Sequence, residues 1–356
     1  MANNRIFYAC QLVGISTIGD TASITEAHGV QSIGITTNFN LEQAFELGQI
    51  QIYENIEGLP DVEVTMEKLL DGYPLLYHLC TSGATNQSLT GRSKARTDVR
   101  LGIFDDDQDN VNNAPLVEVY CSGLFMSSIS YTIPVDGNST ESVSLVGNNK
   151  QWLSGSDVKL TDTEADNIGG TDEPKAYTDA SGGIQRRENV LLGSSIFPIS
   201  IKGVDGSSSG NALNGTTPRV HMQNISISTD FSREDILELG RKTPYFRAPG
   251  FPIEVSCEIE AITVSGDFIN VFEEGNAAYA DTKDAGDNIA DERIKIQLQD
   301  GTIFDLGTKN KLSSVSYGGG DATGGNVSCS YSYQNFNVFT VIHPQDPHTG
   351  AVWPTT

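Results

Sequence analysis

The chain has 356 residues, 38% of them hydrophobic and 19% charged, which is enough apolar material for more than one core and too much for wholesale disorder. Its 46 acidic residues against 22 basic ones give a formal net charge of −24, which argues against a protein that grips nucleic acid through clustered cations. No stretch approaches the roughly 20 apolar residues of a membrane span, and Met1-Ala-Asn-Asn-Arg5 leads straight into Ile6–Cys10 without the features of a signal peptide, so synthesis without secretion is expected.

Thirty-six glycines among short β-branched runs predict a mainly β protein with many turns. The first clear element is a strand in which Ile33, Ile35, Thr37 and Phe39 alternate with polar residues, the pattern of a half-buried strand. Asn40 to Gly48 then reads as a short helix, with Asn40 as N-cap and Gly48 at the left-handed C′ position; Glu42 and Glu46 fall on its wet face. A turn at Pro60 opens a second strand through Val62, Val64 and Met66. Ser127–Tyr131 and a strand holding Val143 and Ser144 form a hairpin around Asp136-Gly137.

These elements recur. Gln31–Phe39 matches Gln223–Phe231 exactly 192 residues later, and Glu42, Glu46-Leu47-Gly48, Tyr53, Gly58 and Pro60 match Glu234, Glu238-Leu239-Gly240, Tyr245, Gly250 and Pro252 at the same spacing. A one-residue slip then sets Val62–Glu67 on Ile253–Glu258, and Ser127–Tyr131 matches Ser313–Tyr317 at a spacing of 186. Two blocks in the same order, with matching Gly and Pro punctuation, imply a tandem duplication. The second copy likewise predicts a helix over Ser232–Gly240, with Ser232 and Asp235 as a capping box, and a turn or bulge at Gly318-Gly319-Gly320. The implied division is a first β domain over 1–153, a Gly/Ser/Asp-rich insert or arm over 154–216, a second β domain over 217–345 and a tail over 346–356.

Within the insert, Arg186, Val190, Leu191, Leu192, Ile196 and Phe197 form an apolar island that needs something to pack on. Either a neighbouring subunit or the chain's own domain would serve, and an inter-subunit contact is the expectation carried forward.

No motif carries chemistry. Gly206-Ser-Ser-Ser-Gly210 fits the nucleophile pattern GxSxG, but its flanks are low-complexity linker. Asp105, Asp107 and Asp109 resemble the start of a calcium loop, yet Asn110 stands where the glycine is needed and Leu116 where the bidentate glutamate belongs, so a turn is expected. His78 and Cys80 lack a second metal-binding pair, and the five cysteines (Cys10, Cys80, Cys121, Cys257 and Cys329) read as buried thiols. No catalytic, cofactor or metal site is expected.

The repeated strand, capped segment ending in Leu-Gly, proline turn and strand, seen best in Ser226–Gly240 followed by Pro252–Ser256, resembles bacteriophage tail tube (major tail) proteins. The two copies together cover about three quarters of the chain. The resemblance implies β-sandwich or barrel units, each with a short flanking α-helix, stacked in six-fold rings around the path of DNA in a virion, and no enzyme. Duplication would make the ring a trimer with pseudo-six-fold symmetry, with a sheath, terminator and baseplate proteins as further partners. DNA would pass without specific binding, and Glu54, Glu57, Asp61, Glu63 and Glu254 are the candidate lumen-facing acids. Another virion ring protein (a tail terminator or baseplate hub) and a receptor- or sugar-binding adhesin are the alternatives.

Overall fold

The computed structural model describes residues 5–48, 50–105, 115–160, 183–198, 200–201, 221–262, 269, 291–318 and 326–346. The chain is mainly β. Its first half comprises β1 (Gln11–Thr17), β2 (Thr25–Glu26), β3 (Val30–Asn38), β4 (Leu41–Phe45), β5 (Ile52–Glu57), β6 (Asp61–Leu69), α1 (Leu76–Cys80), α2 (Leu89–Arg92), β7 (Thr97–Ile103), β8 (Val117–Pro134), β9 (Thr140–Gly147) and β10 (Asn149–Ser154). The second half comprises β11 (His221–Asp230), β12 (Glu234–Ile236), β13 (Phe246–Ala248), β14 (Glu254–Ile262), β15 (Lys295–Gln297), β16 (Ile303–Asp305), β17 (Lys311–Gly318), β18 (Ser328–Phe336) and β19 (Thr340–Ile342).

One antiparallel sheet runs through both halves in the order β3-β6-β9-β8-β11-β14-β18-β17. Along each strand, alternate residues point into the core: Val62, Val64 and Met66 of β6, Ile225 and Ile227 of β11, and Val255, Cys257 and Ile259 of β14 are buried. The opposite face is polar, dominated by Ser, Thr and Glu. In the first half β8 is long enough to serve two sheets. Its early residues pair with β7 and β10, and β7 pairs with β1; its later residues join the main sheet. Gly123 lies between the two stretches with φ +67, in the left-handed region, and its N–H donates to Asp98 Oδ1 at 2.8 Å. In the second half a small sheet, β15-β16-β19, covers the same core.

The helix α1 packs under the sheet. Its first free N–H groups, on Leu76 and Tyr77, donate to the buried carboxylate of Glu141 on β9 at 2.6 and 3.0 Å, and Tyr131 Oη donates to the same group at 2.8 Å. Burial raises the Glu141 pKa and these hydrogen bonds pull it back down.

Two sequence expectations are corrected. The stretches 40–48 and 232–240 are not helices: they enter antiparallel arms, β4 with β5 and β12 with β13. Asn40 and Ser232 sit at φ 45 and 42, turning the chain away from the sheet instead of capping a helix. Beside them Gly58 and Gly250 are pressed so close that a Cβ would lie 2.5 and 2.8 Å from the Asn40 and Ser232 carbonyl oxygens. Glu42 and Glu234 therefore lie on arm strands and not on a helical face. The helix that does flank the first half is α1, after β6; the corresponding stretch after β14 lies outside the described residues except for Ile269.

The second correction is to register. β6 and β14 correspond at a spacing of 193, two residues from the sequence alignment: Ile33 pairs with Met66 where Ile225 pairs with Ile259. With that spacing the two halves agree throughout. Both have a bulge at the same place near the start of β3 and β11, between Val30 and Ser32 and between Met222 and Asn224. Both have another in the β8–β9 and β17–β18 pairs, between Met126 and Ser128 and between Leu312 and Ser314. The arms share one register at a spacing of 192: Ala44 faces Glu54 as Ile236 faces Phe246.

Candidate assembly surfaces

The sheet order places one joint inside the chain and leaves two edges outside it. At the joint, β8 and β11 pair over seven residues, from Ser128 opposite Asp230 to Pro134 opposite Asn224. The ladder continues past both ends: Phe231 N–H donates to Ser127 O at 2.8 Å and Val135 N–H to Gln223 O at 2.7 Å. The counterparts of these two strands, β17 and β3, each have one neighbour among the described strands. Their outer edges present unpaired backbone groups.

Burial follows this arrangement. Phe231 is 0% exposed and its counterpart Phe39 is 62% exposed; Tyr131 is 1% exposed and its counterpart Tyr317 is 55%. Ile225, Ile227 and Thr229 are buried on β11, where Ile33, Ile35 and Thr37 on β3 are half-buried. The same residue types are covered at the joint and uncovered at the edges.

The arm of β12 and β13 docks on the first half. Arg247 donates to Asp61 Oδ1 at 2.7 Å and lies 3.1 Å from Asp235 Oδ1. Phe246 meets Phe125 edge to face at 5.5 Å. Arg233 donates to the Met126 carbonyl and lies over the Phe125 ring; burial and the neighbouring Arg247 lower its pKa to about 10. A cleft of about 490 Å³ remains between this arm and the first half, with Arg96, Arg241 and Tyr245 on its walls. Among the described residues the arm of β4 and β5 has no such seat: β5 is exposed at all six residues, and Leu41, Phe45, Tyr53 and Ile56 are among the exposed apolar side chains.

The candidate lumen acids fall into three places. Glu63 and Glu254 stand on the polar face of the main sheet, on β6 and β14. Glu54 and Glu57 are on β5, in the exposed arm. Asp61 begins β6 and is taken up by Arg247 and Asn40. The sheet adds Glu67, Glu258 and Glu260 to the polar face. All three follow from the alternation that starts at Glu63 and at Glu254, so the signal was present in the sequence.

The insert island is anchored within its own chain, one of the two packings the sequence allows. Phe197 is buried in the common core, Ile196 and Lys295 exchange backbone hydrogen bonds, Val190 bridges to Leu298, and Leu191 N–H donates to Gln297 O. Arg186 donates to Asn138 Oδ1 at 2.9 Å. Of the six, Phe197 is buried, Val190, Leu191 and Ile196 are half-buried, and Leu192 keeps an exposed apolar side chain.

The five cysteines are buried thiols, with burial pushing Cys121 up to about 11 and Cys257 to about 12. His78 is buried against Val341 O and Asp346. Among the described residues no group of three His, Cys, Asp or Glu side chains could hold a metal. Of the calcium-loop candidates, Asp107 and Asp109 lie outside the described residues, as do Gly206–Gly210 and Gly319-Gly320.

No protein-family model matches the sequence, and no curated protein matches it. Among solved structures, the chain is similar to the tube-terminating cap of the anti-feeding prophage (12% identity, TM-score 0.32, covering 44% of this chain and 95% of that one). It is also similar to a sheath/tube terminator of an extracellular contractile injection system (14% identity, TM-score 0.31, covering 43% and 100%) and to Hcp1 from Flavobacterium johnsoniae (12% identity, TM-score 0.22, covering 40% and 99%).

Proposed function

We propose that the chain is a structural subunit of a tail tube, made of two tandem copies of one β unit over 1–153 and 217–345, that closes into a ring of three chains. The observation that carries this reading is the β8–β11 joint, because it pairs the last sheet strand of the first half with the first sheet strand of the second. Repeating that step between chains sets β17 of one on β3 of the next. Such a contact is head-to-tail, so it must close into a ring or run on as a filament. Both edges suit it. β3 carries no Lys or Pro to deter pairing, and the side chains that are buried at the internal joint are half-buried or exposed at each edge. Three chains contribute six equivalent units, the number the resemblance to tail tube proteins implies.

In this ring the polar face of the sheet lines the channel. Glu63, Glu67, Asp230, Glu254, Glu258 and Glu260 give it a negative wall, and Lys311, at the start of β17, is the one Lys or Arg among the described residues of that face. Like charge keeps a duplex from adhering, over roughly the 8 Å Debye length of physiological salt. The tube would stack ring on ring and meet sheath, terminator and baseplate proteins in a virion.

Mass photometry of the purified full-length protein, followed by negative-stain imaging, tests this. Three-chain rings or tubes are expected. Monomers that persist at high concentration, or particles with two-fold or five-fold symmetry, would sink the proposal.

A further inference from the structure

The two arms share one register and arise at equivalent points, but one is seated and the other is bare. The seated arm therefore indicates what should cover the bare one. Its contacts can be carried across residue by residue, because the matching bulges fix the correspondence of the sheet strands and the shared pairs from Glu42–Ile56 to Ala44–Glu54 fix that of the arms. Phe246 corresponds to Glu54, and its partner Phe125 to Lys311; Arg247 corresponds to Asn55, and its partner Asp61 to Glu254.

The exchange is complementary at both points. An apolar pair, Phe246 on Phe125, becomes an ion pair, Glu54 on Lys311. A cation on a carboxylate, Arg247 on Asp61, becomes a neutral amide donor on a carboxylate, Asn55 on Glu254. The arms differ in overall charge as well: residues 40–58 carry four acids (Glu42, Glu46, Glu54 and Glu57) and no base, whereas residues 232–250 carry Arg233, Arg241, Lys242 and Arg247 among three acids. We infer that the β4–β5 arm docks on the second half of a neighbouring copy of this chain, with Glu54 against Lys311 and Asn55 against Glu254.

This rests on the ring reading and adds specificity to it. Seated on a first half, the bare arm would set Glu54 on the apolar Phe125 ring where Lys311 stands in the second half, and would put Asn55 where Arg247 meets Asp61, giving up the ion pair at each point. The pairing of arms and seats thus makes first and second halves alternate around the ring and rejects a contact between like halves.

Zero-length carbodiimide coupling of the assembled wild-type protein tests the docking directly. The reagent joins a carboxylate and an amine in contact, leaving as its urea with the oxygen lost when the amide forms. Lys311 Nζ lies 2.9 Å from Asp291 Oδ1 in its own chain, so the Lys311–Asp291 product is a built-in control for reactivity. The expected result is a second product, Glu54 joined to Lys311, found by peptide mass spectrometry in bands of two or more chains and absent from Glu54→Gln. Glu54→Lys should also weaken ring formation roughly fivefold, the scale of one partly exposed ion pair, without shifting the melting of the single chain. Rings that yield only the Lys311–Asp291 product would overturn the docking and leave the ring intact. A protein that forms no ring would overturn both.

Discussion

The β8–β11 joint and the β3 and β17 edges are built from counterpart strands, yet one is a finished interior and the others are open surfaces. The difference is one of cover, not of sequence. Phe231 and Phe39 end matching strands and precede residues with the same left-handed backbone, but Phe231 is sealed by β8 while Phe39 faces solvent. An edge that matches an interior strand in register and residue type is the surface the proposed ring would cover.

The largest contrast should come from truncating those two phenylalanines. Phe231→Ala leaves a cavity in the core and should cost the chain about 3–5 kcal/mol of stability, whereas Phe39→Ala should leave the single chain within about 1 kcal/mol of wild type and weaken its assembly. Chemical denaturation and mass photometry on both variants check this; equal destabilisation would break the comparison.

Proline sharpens it further. Because Phe231 N–H points to β8, alternation along the antiparallel ladder points Thr229 N–H the same way, and Thr37 N–H on β3 toward the open edge. Thr37→Pro should keep a folded monomer and reduce assembly by roughly two orders of magnitude, the scale of the ~3 kcal/mol cost of a misplaced proline. Thr229→Pro should disrupt the fold itself. Rings from Thr37→Pro would mean that β3 is not the assembly edge.

Acid should act on the cores and not on the joint. Burial lowers His28 to about 4 and His343 to about 3, so both are neutral when folded and take up protons when unfolded near 6.5. Their contribution is complete above pH 6.5 and is lost as pH falls toward 4 and 3. Asp300, raised to about 6 by burial, works the other way and gains as pH falls through 6. With Thr37→Pro holding the chain as a monomer, denaturation should show a net loss of about 1–2 kcal/mol from pH 6.5 to 5. A gain in stability over that range would contradict the two-histidine account.

The smallest effect on folding belongs to the polar face. Reversing Glu63, Glu258 or Glu260 to lysine should change stability by no more than about 0.5 kcal/mol each. The same reversals should preserve rings and raise salt-sensitive retention of DNA; retention unchanged by reversal would move these acids out of the channel.

Much of this was legible in the sequence. The strands of the main sheet announced themselves because Ile33–Phe39 and Ile225–Phe231 alternate, and the internal match put the same elements in the same order. Two errors have physical causes. A strand has period two, so Val62-Glu-Val-Thr-Met fits Val255-Ser-Cys-Glu-Ile as well as the set two residues earlier, and only hydrogen-bonded register separates them. The arms read as helices because Asn40 and Gly48, or Ser232 and Gly240, are residues that serve a helix end and a left-handed turn alike. The sequence left the packing of the insert island open because its partners within the chain, Lys295, Gln297 and Leu298, lie about a hundred residues away.

The central claim, that β17 and β3 of neighbouring chains repeat the β8–β11 joint, is tested most directly by an electron cryo-microscopy map of the assembled ring. Carrying the internal register across sets Ser314 opposite Asn38, Ser316 opposite Thr36 and Tyr317 opposite Ile35, with Phe39 N–H donating to Ser313 O of the next chain. A three-chain ring with that register and a buried Phe39 is the expected result. A ring joined through other strands, or one in which Phe39 stays exposed to solvent, would contradict the account.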